Sequence, residues 1–70
     1  MTDIIYHIVK KNVDGAYLLD KRNTVLLSTY DLSLAESSFN DLLLHKSNNE
    51  VYTFFSEVSG KRYLQIILER

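Results

Sequence analysis

The sequence predicts an α+β fold: an antiparallel β-sheet, in the order β-β-β-α-β-β, with one central helix packed on one face. Two observations carry this expectation. A single stretch, residues 31–46, has apolar residues at helical spacing, and the stretches on either side of it are short, β-prone and separated by turn residues. The connections are also short, which favours antiparallel neighbours over crossover connections.

Residues 3–11 read as the first strand. Ile4, Tyr6 and Ile8 point to one side, and Ile5, His7 and Val9 to the other. Both sets are largely apolar, so this strand is expected to be covered on both faces. Asn12-Val13-Asp14-Gly15 follows, and Asp-Gly is a strong hairpin signal. Residues 16–20 form a second strand, Lys21-Arg22-Asn23 a polar turn, and residues 24–30 a third strand.

The helix comes next. Ser33 and Glu36 have capping-box spacing, so each side chain can satisfy an orphan backbone N–H at the helix start. Ala35, Phe39, Leu42 and Leu43 make one apolar stripe, with Leu32 just before them on the same side. A turn of about 100° per residue puts Leu34 and Leu44 on the outer side, with Ser37 and Asp41. His45 and Lys46 occupy the last turn, where positive charge suits the free carbonyls, and Ser47-Asn48-Asn49 ends the helix.

Residues 50–58 and 61–69 are the last two strands, joined at Ser59-Gly60 as a tight hairpin. A two-residue loop pairs Val58 with Lys61, and therefore Phe55 with Leu64, Thr53 with Ile66 and Val51 with Leu68. That nearly all-apolar face is expected under the helix. The opposite face then carries Tyr52, Phe54, Tyr63 and Ile67 as one aromatic patch, where a solvated face would alternate to charged residues.

Length and composition sharpen the meaning of that patch. Seventy residues are expected to form one domain, 1–70. A core this small supplies only about 3–5 kcal/mol unless something staples it. The chain has no Cys, so association is the remaining staple. Tyr52, Phe54, Tyr63 and Ile67, together with Leu34 and Leu44, are the candidate partner-binding residues of a homodimer or of a complex with a larger protein. IIYHIV (4–9) and LQIIL (64–68) are β-prone, nearly uncharged and free of Pro, and would be aggregation hazards if left bare.

No catalytic set is expected, and the chain reads as a non-enzyme. His7 lies mid-strand among Ile and Val, and His45 at the helix end, with no HxH or HExxH spacing for a metal. The acids are spread along the chain, and the two glycines are isolated turn residues, so neither a paired acid–base site nor a phosphate cradle is predicted. Cofactors and metals are therefore not expected. The formal charge of −1 and the isoelectric point near 6.0 give no general attraction to nucleic acid or anionic membrane. An alternative reading remains for nucleic acid: Lys10, Lys11, Lys61 and Arg62 would gather at one end of an up-and-down sheet beside Tyr63, gripping phosphates while the ring stacks on a base. In MTDIIYHIVKK the apolar run is too short for a signal peptide and the basic residues follow it, so a cytoplasmic location is expected.

In size and character, though in no motif, the chain resembles the small accessory proteins of phages and other mobile elements. Many of these bind and block or retune a larger host or viral protein, inhibitors of bacterial defence systems among them. The resemblance implies a binding protein whose partner is a protein.

Overall fold

The computed structural model describes residues 3–11, 23–58 and 63–70. They form β1 (Ile4–Lys11), β2 (Thr24–Thr29), α1 (Leu32–His45), β3 (Val51–Val58) and β4 (Tyr63–Glu69). The strands make one sheet in the order β2-β1-β3-β4, antiparallel at every junction. The α+β class is therefore as expected, with two strands before the helix among the described residues where three were predicted along the chain. The Asp-Gly hairpin, the strand at 16–20 and the Lys21-Arg22 turn lie outside the described residues. β1 pairs directly with β2, from Tyr6 opposite Thr29 to Lys10 opposite Thr24.

The helix starts two residues before the predicted capping box. Asp31 is the N-cap: its backbone is extended (φ −93°, ψ 105°) and its Oδ1 accepts the Leu34 N–H at 3.2 Å. Thr29 Oγ1 accepts the Asp31 N–H at 3.0 Å and holds that extended entry. A carboxylate here satisfies an orphan donor and also meets the positive end of the helix dipole. Ser33 is left inside the first turn. Beyond the helix the chain turns tightly, with the Glu50 N–H donating to the Ser47 carbonyl at 3.1 Å.

The predicted stripe is the buried one. Ala35 and Phe39 are fully enclosed, Leu42 and Leu43 pack beside them, and Leu34 and Leu44 face outward. What the stripe covers is reversed. It sits on Tyr6, Ile8, Tyr52 and Phe54, with the Phe39 and Phe54 ring centroids 5.6 Å apart and Tyr6 edge-on to Phe54 at 6.2 Å. The Tyr52–Phe54 face is the covered one, and the Thr53–Phe55 face lies away from the helix. Polar chemistry explains the choice. His7, Thr53 and Glu57 share the face away from the helix, where each finds a side-chain partner across strands. Under α1 this whole polar cluster would be taken out of water against the apolar Ala35 and Phe39, which is costly.

The last hairpin also differs from prediction. Val58 pairs with Tyr63 where Lys61 was predicted, and Phe55 faces Ile66 where Leu64 was predicted. A bulge follows at Ile67, after which Phe54 faces Leu68 and Thr53 faces Glu69. The extra residue moves Leu68 to the helix side, where it joins the core. In the middle of β1, Ile8 and Val9 are both fully buried although they point to opposite faces, as the two-sided apolar pattern predicted. No helix among the described residues is long and apolar enough to cross a membrane.

Candidate interaction site

The functional candidate is the β4 edge and the groove beside it. The backbone of α1 lies close over β2, β1 and β3 and farther from β4. The last strand therefore projects past the helix, and a groove of about 300 Å³ opens between them, lined by Glu36, Phe39, Asn40, Phe54, Ile67 and Leu68. Its floor is apolar, and Glu36 and Asn40 from the helix make a polar rim. The bulge supplies Ile67 to its wall. On the outer side of β4 no strand pairs among the described residues. Tyr63 is 63% exposed, Ile66 51% and Ile67 47%. An edge of this kind offers a row of free N–H and C=O groups together with apolar side chains. Only Glu69 in this strand is charged.

A second groove, of about 410 Å³, lies on the far side of the helix against β2, lined by Leu26, Leu27, Ser38, Asp41 and Leu42. It too is bordered by a bulged apolar residue, Leu26, between Leu27 opposite Ile8 and Val25 opposite Val9.

The six residues singled out in the sequence do not form one patch. Tyr52 (7% exposed) and Phe54 (3%) belong to the core under the helix. Leu34 and Leu44 are exposed on the helix, separated by ten residues, or about 15 Å along its axis. Tyr63 and Ile67 do share a location, at β4. Ile66 was missed because the two-residue hairpin put it opposite Thr53 beneath the helix.

Of the residues proposed for nucleic acid, Lys10 and Lys11 are not brought to Tyr63. Lys10 and Lys11 lie at the end of β1 that pairs with Tyr52 and Val51, whereas Tyr63 belongs to the row of Ile4 and Val58 at the opposite end. The length of β1, about 23 Å for its eight residues, separates them. Lys10 Nζ is 2.8 Å from Glu50 Oε2, and Lys11 Nζ 3.5 Å from Glu69 Oε2, so both cations have carboxylate partners. Lys61 and Arg62 lie outside the described residues.

Two polar clusters were not foreseen. At the Lys10 end, Glu50 accepts from Lys10, from the Ser47 N–H at 2.9 Å and from the Tyr52 hydroxyl at 3.2 Å. The Lys10 ammonium first, and the Ser47 amide next, hold the Glu50 carboxyl at about 2. Burial, and then the neighbouring Glu50 charge, push the Tyr52 hydroxyl above its ordinary value. The Thr53 hydroxyl, donating to Glu69 Oε2 at 2.6 Å, lowers the Glu69 carboxyl, assisted by Lys11.

The second cluster joins three strands. His7 Nδ1 is 2.7 Å from Ser28 Oγ and Nε2 is 2.8 Å from Glu57 Oε1, with the ring stacked on Phe55 at 5.1 Å. A carboxylate on Nε2 puts the proton of a neutral ring there and leaves Nδ1 to accept from the serine hydroxyl. The order serine–histidine–acid is that of an activated nucleophile. Neither groove described above borders it. It ties β2, β1 and β3 together, with both ring nitrogens of His7 partnered. Among the described residues, no cluster of three or more His, Asp or Glu side chains could hold a metal ion.

Comparison with protein-family models, curated proteins and solved structures finds no match to this chain.

Proposed function

We propose that this chain is a small, non-enzymatic protein-binding module that works by strand addition at β4. The observation that carries the reading is the coincidence of an apolar edge strand with a groove alongside it. In that mode of recognition, an extended segment pairs its backbone with the edge strand and seats alternate side chains in the groove between strand and helix. The partner in this reading is a protein, either a second copy or a larger protein that the chain inhibits or modulates, as phage and mobile-element accessory proteins do to host defence proteins. The separation of Tyr63 from the paired Lys10 and Lys11 weighs against the nucleic-acid alternative.

The test is Ile66→Lys, which sets a charge in the middle of the edge on the face away from the helix. The wild-type chain is expected to hold a protein partner, its own copy or a foreign one. Ile66→Lys is expected to lose it while keeping the native circular dichroism spectrum. A partner that survives the substitution would refute the reading.

A further inference from the structure

We infer that the strand added at β4 is β4 of a second copy, antiparallel about Gln65, and that Tyr63 of each chain enters the α1–β4 groove of the other. The inference rests on β4 being a protein-binding edge and goes further by naming the occupant and its register.

Three observations point to it. First, Tyr63-Leu64-Gln65-Ile66-Ile67 is symmetric in character about its centre. A two-fold register at Gln65 sets Tyr63 against Ile67 of the partner and Leu64 against Ile66 of the partner, apolar on apolar on both faces. The two Gln65 amides meet at the axis, where they can hydrogen-bond to one another. Shifting the two-fold axis to Ile66 would instead set Gln65 opposite Ile67. Second, the groove suits a tyrosine. Phe39, Phe54, Ile67 and Leu68 would receive the ring, and Glu36 and Asn40 at the rim would receive its hydroxyl. Tyr63 is also highly exposed within a single chain, so it is available to supply that ring. Third, residues 63–68 carry no charge, so a two-fold axis through Gln65 brings no like charges together along the shared ladder. The bulge at Ile67 ends the regular ladder just where the groove begins.

The absence of Cys makes the register directly testable, since one substitution introduces one thiol per chain. Residues facing each other across an antiparallel pair have Cα atoms about 4.5–5.5 Å apart, within disulfide reach. In the proposed register Gln65→Cys faces itself and is expected to oxidise to a covalent dimer under native conditions. Ile66→Cys lies two residues out of register with its own copy, beyond the roughly 7 Å limit, and is expected not to self-link. A mixture of Leu64→Cys and Ile66→Cys chains is expected to link to each other. Light scattering at micromolar concentration should give the dimer mass for wild type, and Tyr63→Asp should weaken dimerisation at least tenfold with its circular dichroism unchanged. A dimer in which Ile66→Cys self-links overturns the register and leaves β4 as a binding edge. A monomer that loses a foreign partner on Ile66→Lys overturns self-pairing and again leaves the edge. A monomer with no partner lost on Ile66→Lys overturns both.

Discussion

At the scale of single residues, the strongest local arguments concern charge and caps. Asp31 caps α1 through Leu34 N–H, so Asp31→Ala should cost about 1 kcal/mol in denaturant unfolding. Ser33→Ala should have little effect, because Ser33 is not the cap. Glu50 makes a pH prediction with a definite sign. Its carboxyl is lowered from 4.5 to about 2 on folding, so its contribution to stability is present above pH 4.5 and is lost as the pH falls towards 2. Unfolding midpoints measured across that range should fall with pH, and Glu50→Gln should flatten the fall. Lys10, raised by the same pair, moves the opposite way: its contribution is present below 10.5 and is lost above that, as the pH passes its raised folded value. The His7 cluster shows how a polar side chain set among Ile and Val can be structural. Its two ring nitrogens are matched to Ser28 and Glu57 from neighbouring strands.

At the scale of elements, Phe39 is the residue on which α1 depends. It is fully buried, and its ring meets Phe54 beneath it. Removing such a ring typically costs about 3–5 kcal/mol, comparable to the whole margin of a core this small. Phe39→Ala is therefore expected to abolish the cooperative thermal transition, whereas Leu44→Ala, at 78% exposure, should barely shift it. The two edge strands share one design. Each carries a bulge whose extra apolar residue, Leu26 in β2 and Ile67 in β4, borders a groove against the helix. Bulges raise local twist and interrupt regular pairing, which limits how far an edge can recruit other strands. At β4 the bulge comes late, and the uninterrupted run from Tyr63 to Ile66 precedes it.

At the scale of the whole molecule, the distribution of charge weighs against a phosphate-binding end. Lys10 and Lys11 are matched by Glu50 and Glu69 at one end of the sheet, and Tyr63 is at the other. Mobility-shift assays with DNA or RNA at low salt are expected to give no complex; a complex weakening steeply with salt would restore the phosphate-binding alternative. Much of this molecule could be read from the chain alone. The α1 stripe of Ala35, Phe39, Leu42 and Leu43, the outward Leu34 and Leu44, four of the strands and the two-sided burial of Ile8 and Val9 all follow from periodicity. Periodicity is local: alternation or a 3.6-residue repeat assigns residues to sides whatever lies beyond them. Tertiary structure decided which side the helix takes, the register and late bulge between β3 and β4, and the pairing of β1 with β2 and β3. Those choices depend on partners distant along the chain, such as Glu57 for His7 and Glu69 for Thr53. A slip of one residue in pairing exchanges the two faces of a strand, so the location of a binding surface depends on contacts that no short stretch contains. Tyr52 and Phe54 are in the core because α1 takes the face opposite His7 and Thr53, while Tyr63 and Ile67 stayed at the edge.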